Sequence, residues 1–229
     1  MPKASRFIRV GTKKQGKRTN LRQSISRASR AMLDQFRASE GFTSLGDSQL
    51  AEATLALYVA REFMSADAAV WAESPFREKP RGRMKRLDLL IDANAGSNAP
   101  PDLLAFEAKA ITTKNRNAKL EEIVEDISRV TLWKSLVRTG KPLFFVDSPP
   151  GRVRGVIAVI LTERLDPRTQ VVPSNSISLW WDSLNSPVLM SPSLKRRLKS
   201  SLAKAKRGVE VSAYRDGGIQ RSVVWAVFS

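Results

Sequence analysis

RLDLLIDA at residues 86–93 and DLLAFEAKA at residues 102–110 decide how this chain folds. Each is about a strand long, and each sets charges among apolar residues where a buried sheet ordinarily has none. In the first, Arg86, Asp88, Leu90 and Asp92 alternate with Leu87, Leu89 and Ile91, a period of two that predicts a strand with unlike faces. In the second, Leu103, Ala105, Glu107 and Lys109 share one face, and Leu104, Phe106 and Ala108 the other. Gly96, Ser97, Asn98, Pro100 and Pro101 between them predict a turn short enough for an antiparallel hairpin. Such a hairpin sets Asp88 beside Glu107. Ionised groups are costly to desolvate unless paired or bound to metal, so these charges need partners.

The flanking sequence supplies helices and further strands. Leu21, Ile25, Ala28, Met32 and Phe36 recur at helical spacing over 21–37, with Arg22, Arg30 and Arg37 opposite, a cationic amphipathic helix. Asp47 or Ser48 caps a second helix to about residue 64, on which Glu52, Ala56, Val59 and Phe63 form one stripe. Val70 to Phe76 reads as a strand and Glu78 to Lys85 as a charged turn. A long helix over 119–138 carries Leu120, Ile123, Val124, Ile127, Val130, Leu132 and Leu136, and Gly140 and Pro142 end it. Its acids Glu121, Glu122, Glu125 and Asp126 read as a solvated or salt-bridged face. The runs 142–146 and 153–161 are apolar enough for buried strands. Trp180 and Trp181 are capable of stacking on bases, but in an apolar stretch they read as core, as do Trp71, Trp133 and Trp225. Ser193 is the expected cap of a helix with Leu194, Leu198 and Leu202 inward, and a hairpin around Asp216-Gly217-Gly218 closes the chain. This order predicts an α/β (α+β) fold, a central mixed β-sheet flanked by helices. Three regions follow: a basic tail and helix at 1–40, a core at 41–165 and a C-terminal extension at 166–229.

Composition narrows the chemistry. The 229 residues include no cysteine and no histidine, which excludes disulfides, thiol nucleophiles, zinc ribbons, Ser-His-Asp triads and histidine bases. Hydrolysis by such a chain has to rest on carboxylates, lysines and a hard, oxygen-loving cation. The net charge of +17 is concentrated. Residues 1–38 hold eleven lysines and arginines against one acid, Asp34, a net +10, and residues 193–207 add +7 with no acid. The remainder is neutral, so a polyanionic partner is expected at Lys13, Lys14, Lys17, Arg18 and Arg22 and at Lys195, Arg196, Arg197 and Lys199. No apolar run spans a membrane and no signal region follows the N-terminal charges, so a soluble, cytoplasmic protein is expected, nucleoid-associated if bacterial.

Glu107 and Lys109, two residues apart on one strand, can serve a single ligand. With Asp88 beside them, two carboxylates repel unless a divalent cation neutralises them, and such a cation activates water and polarises a phosphoryl oxygen. Lys109 can orient the water or offset transition-state charge. A structural ion pair between Glu107 and Lys109 is the plainer alternative. Across residues 48–147, with Asp88, Glu107-Ala-Lys109 and a helix glutamate in order, the chain resembles the PD-(D/E)XK phosphodiesterase superfamily, the restriction-endonuclease-like fold. Leu87 stands where that family's name has proline. The resemblance implies that Asp88 and Glu107 bind Mg²⁺ or Mn²⁺, that Lys109 assists the nucleophile, and that Glu52 joins them as catalytic and metal-binding acid. Glu73, in a Glu73-Ser-Pro75 run that also looks restriction-type, competes with Glu52 for that accessory role.

The expectation is a metal-dependent nuclease, on DNA rather than RNA, with a homodimer compatible with it. Its rivals are a nucleic-acid-binding protein with an inactive nuclease-like core and a basic adaptor of a larger assembly.

Overall fold

The computed structural model of the chain describes residues 20–38, 48–76, 84–95, 98–111, 116–139, 151–169, 171–185, 188, 190–216 and 218–229. Helices α1 (Leu21–Ala38) and α2 (Ser48–Met64) precede strands β1 (Ala69–Phe76), β2 (Lys85–Asp92) and β3 (Asp102–Ile111). Helix α3 (Arg116–Arg138) leads to β4 (Arg152–Arg164), and α4 (Ile177–Ser183) and α5 (Pro192–Leu202) to β5 (Lys206–Asp216) and β6 (Ile219–Phe228). The six strands form one mixed sheet in the order β1-β2-β3-β4-β6-β5. Only β3 and β4 among these neighbours run parallel, with α3 as the crossover between them; every other neighbouring pair is antiparallel. The mixed α/β architecture expected from sequence is the one observed. The proposed strand at 142–146, residues 1–19, residues 78–83 of the charged turn and the cap at Asp47 lie outside the described residues, and Lys85, read as the end of that turn, begins β2 instead.

The period of two in β3 sorts its side chains as the sequence predicts. Leu103, Ala105 and Ile111 pack with α3, α4 and α5, while Leu104, Phe106, Ala108 and Ala110 pack with α1 and α2. The β2–β3 hairpin is held at its turn by Asp92, whose Oδ1 accepts from the amides of Asn94 (2.9 Å) and Asp102 (3.0 Å). Arg154 on β4 donates to Asp102 Oδ2 at 2.7 Å and ties the start of β3 to its parallel neighbour.

Helix α3 sits unusually close to β4, and Gly155 is the reason. A Cβ at Gly155 would lie 2.0 Å from Val130 Cγ1, so only glycine lets the helix reach this depth. The contact fixes the height and rotation of α3, and with them Asp126 and Arg129, one turn and one residue before Val130.

Helix α1 is part of the core. Ile25 and Met32 are 0% exposed in the cluster that holds Leu104 and Phe106 of β3, so the cationic helix at 21–38 is no detachable arm. Two of its arginines are spent on the fold: Arg27 pairs with Glu62 at 2.5 Å and Arg30 with Glu210 at 2.6 Å. Helix α5 likewise buries Leu194, Leu198 and Leu202 on the α3 side of the sheet. Its cap is Ser191, which accepts from the Leu194 amide with Pro192 in the first turn, and not Ser193 as the sequence suggested. Proline suits a first turn, whose amide has no partner, so the helix starts earlier. Trp180 and Trp181 are 0% exposed, and Trp181 Nε1 donates to the Trp225 carbonyl at 3.1 Å, which makes both tryptophans core.

Candidate active site

The β2–β3 ladder stops early. Its last described pair is Leu89 with Phe106, and beyond it the carboxylate of Asp88 takes the place of a strand backbone. Asp88 Oδ2 accepts from the Ala108 amide at 2.7 Å, and Glu52 Oε1 on α2 accepts from the Ala110 amide at 2.9 Å. Those amides are two residues apart and point to the same strand edge. Lys109 lies between them, so two acids clamp the backbone that carries it.

The side chains of Glu107 and Lys109 emerge on the α3 face, and each finds its partners there. Glu107 is 2% exposed and accepts from Arg129 Nη1 at 2.9 Å. Lys109 Nζ lies 3.4 Å from Asp126 Oδ2 and 3.4 Å from Glu122 Oε2. Arg129 Nη2 also reaches Asp126 Oδ1 at 3.1 Å, and Lys119 holds Glu122 at 2.9 Å. The simple Glu107–Lys109 ion pair is therefore replaced by a crossed arrangement in which Asp126 and Arg129 join the two.

Of the two readings of the α3 acids, solvated or salt-bridged, Asp126 follows the second. Only 1% of it is exposed. Arg129 and Asp126 are the residues that the sequence reasoning missed. A signal was present, because Asp126 shares the stripe of Ile123, Val130 and Trp133 at spacings of three, four and seven. Glu73, by contrast, is two-thirds exposed, with a 3.7 Å contact to Arg86, and adopts a left-handed backbone with φ 48°. Of the two accessory candidates, Glu52 is the one bonded to the site strand.

Carboxylates dominate the electrostatics. Burial pushes Glu107 up to about 8; the charge of Asp88 adds to the rise, and Arg129 opposes it. Burial also raises Asp88, against the Ala108 amide and Lys109, which favour its charge, while Glu73 and Glu52 add to the rise. Asp126 is raised by burial, with Lys109 and Arg129 opposing. Burial acts against the charge of Lys109 but is outweighed by Asp126, Glu52 and Glu122, which hold it above its ordinary value.

Asp88 and Glu107 suit a hard dication. Both donors are oxygens, and one carboxylate already disfavours ionisation of the other, a repulsion that a cation relieves. Among the described residues no group of three or more acids is arranged to hold a metal ion. Mg²⁺ does not require one, since it is commonly bound by one or two carboxylates with water and substrate phosphate completing the shell.

Of the proposed nucleic-acid contacts, Arg22 is exposed on α1, Arg196, Arg197 and Lys199 are exposed on α5, and Lys195 is half-buried there. Lys13, Lys14, Lys17 and Arg18 lie outside the described residues. Arg207 donates to the carbonyls of Leu202 and Asp182, so part of the 193–207 charge supports the fold. Among the described residues no helix is long and apolar enough to cross a membrane. No protein-family model matches the chain, and no curated protein or solved structure matches it significantly.

Proposed function

We propose that this protein is a metal-dependent nuclease of the PD-(D/E)XK kind, hydrolysing phosphodiester bonds in nucleic acid, DNA in preference to RNA. The observation that carries the reading is the seating of Lys109. Its backbone is clamped by Asp88 and Glu52, and its ammonium is held by Asp126 and Glu122 on the face where Glu107 emerges.

In this reading Asp88 and Glu107 hold Mg²⁺ or Mn²⁺, which supplies polarisation of the phosphoryl oxygen and a lower pKa for water. Lys109 stays protonated, because three acids favour its charge. It can donate a hydrogen bond to the attacking water or offset negative charge that develops on the phosphoryl group. Asp126 limits where that ammonium can point, and Arg129 fixes the Glu107 carboxylate. Glu52 works through the Ala110 amide, as a positioning residue for the strand. Substrate would approach from the α3–α5 side, where Arg196, Arg197 and Lys199 are exposed.

A second reading draws on one observation. Arg129 already donates to the Glu107 carboxyl at 2.9 Å, in the place where a cation would sit, as an inactive, nucleic-acid-binding core would have it. Purified protein incubated with plasmid, linear duplex, single-stranded DNA and RNA, in Mg²⁺, in Mn²⁺ and in chelator, separates the two. Metal-dependent cleavage that Lys109→Ala slows by about 10²–10³-fold is the expected result. Binding without cleavage under every condition would leave the second reading.

A further inference from the structure

A pocket of about 190 Å³ opens where the parallel strands β3 and β4 end, lined by Ile111, Thr162, Glu163 and Arg164, by Arg116 at the start of α3, and by Asn175. Crevices at the carboxyl ends of parallel strands are favoured ligand sites in open α/β sheets. Two features suit this one to an anion. The first is that its carboxylate is engaged elsewhere. Glu163 is buried and accepts from the Ile177 amide at 2.7 Å and from Ser178 Oγ at 2.5 Å, which locks it onto the start of α4. The second is the guanidinium of Arg116, three-quarters buried, whose ion pair with Glu163 is long at 3.8 Å, so that its N–H donors are not used up in hydrogen bonds to that carboxylate. A planar fork of N–H donors thus stands over a site whose only anion is committed to backbone and hydroxyl groups. With Arg164 on the rim, the lining carries two cations against one anion.

The position of the pocket names the anion. Ile111 and Lys109 share the α3 face of β3, two residues apart, which places the pocket about 7 Å further along the strand. That is comparable with the separation of neighbouring phosphates on one nucleic-acid strand. We propose that the pocket is a phosphate-binding subsite, in which Arg116 and Arg164 hold the backbone phosphate next to the one hydrolysed at Lys109. The location of that phosphate rests on the nuclease reading; the affinity of the pocket for phosphate does not. Thr162 and Asn175 supply neutral hydrogen-bonding groups beside it, and the pocket has room for a phosphate and part of a sugar.

The test compares wild type, Arg116→Gln and Arg164→Gln, with melting curves confirming that each variant is folded. Anisotropy of a labelled oligonucleotide in chelator, over a salt series, gives affinity and salt slope without cleavage. Each substitution should weaken binding about tenfold, as expected for a charge-assisted hydrogen bond, and reduce the slope on duplex DNA by about 0.9. In Mg²⁺, KM should rise while kcat is kept, because a remote phosphate contact binds ground and transition states alike. Inorganic phosphate should shift the Arg116 Nε–Hε resonance of the wild type. Unchanged affinity and slope in the folded variants would overturn the subsite, even if the wild type cleaves well. A wild type that binds but never cleaves would overturn the nuclease reading, while weaker binding by the variants would still support the phosphate site. Should Arg116→Gln not fold, Arg164→Gln, whose residue is exposed, decides.

Discussion

The two faces of the sheet are built from different materials. The α1–α2 face is filled by Ile25, Met32, Leu55, Val59, Phe63, Leu104, Phe106, Val156 and Trp225, and its ion pairs, Arg27–Glu62 and Arg30–Glu210, sit at the periphery. The α3–α5 face has an apolar floor as well, yet it also buries Glu107, Asp126 and Glu163. Burying charge rarely improves stability over well-packed apolar residues. A fold selected for stability alone would have no use for these acids on one face only. The α1–α2 face is packed with apolar side chains, and the α3–α5 face is where the buried acids are concentrated. The same division separates the two basic helices, because α1 and α5 lie on opposite sides of the sheet.

The sharpest way to break this comparison is a pair of alanine substitutions, one from each face. Lys109→Ala should lower the cleavage rate by about 10²–10³-fold, as removal of a transition-state stabiliser typically does, with little loss of nucleic-acid affinity. Leu55→Ala, 0% exposed on the opposite face, should instead reduce unfolding free energy by about 2–5 kcal/mol and leave kcat of the remaining folded protein unchanged. Chemical denaturation and single-turnover cleavage measure the two effects. A Leu55→Ala protein that loses kcat without losing stability would erase the distinction.

Gly155→Ala probes the coupling between floor and site. The added methyl meets Val130, so α3 has to move outward, at a cost of about 1–3 kcal/mol. Because Asp126 and Arg129 ride on that helix, the cleavage rate should fall together with stability. Full activity in a destabilised Gly155→Ala protein would show that the depth of α3 is irrelevant to the site.

A dependence on pH in chelator tests the buried acids themselves. Glu107 titrates near 8 when folded, against an ordinary value of 4.5, so the folded state holds a proton that the unfolded chain has released. Stability from this group is complete below pH 4.5 and declines as pH rises towards 8. Asp88 and Asp126, also raised, add to the same trend. Melting temperature should therefore drop between pH 5.5 and 8.5, and Glu107→Gln should flatten that drop. A slope unaffected by the substitution would place the responsible proton elsewhere.

What could be read from the sequence was mostly what a single strand or helix dictates. The alternation in 102–110 assigned each β3 side chain to its face, and the spacing of Leu194, Leu198 and Leu202 gave the inward side of α5. The crossed pairing of Glu107 and Lys109 with Arg129 and Asp126 was hidden, because it depends on the rotation of α3 against the sheet. That rotation is set by Gly155 meeting Val130, a contact between residues far apart in sequence. On a helix with acids at 121, 122, 125 and 126, local pattern alone left solvated and salt-bridged faces equally open and singled out none of the four. The depth to which α1 is buried was obscured for a similar reason. Its apolar side was legible, but the acids that receive two of its arginines, Glu62 and Glu210, belong to other elements.

The two carboxylates that close the edge of β3 have a consequence for descent. Asp88 and Glu52 satisfy the Ala108 and Ala110 amides whether or not any bond is hydrolysed. A descendant that abandoned catalysis would still lose hydrogen bonds on replacing either acid, so selection for folding alone would retain both. Their presence in a related chain would then be poor testimony to activity. The Lys109 ammonium is held in the same way, because it faces Asp126, which is 1% exposed and would be left with a buried charge short of one partner. In a related chain, Asp88, Glu52 and Lys109 together would therefore testify to the fold, and only a measurement of cleavage would testify to activity.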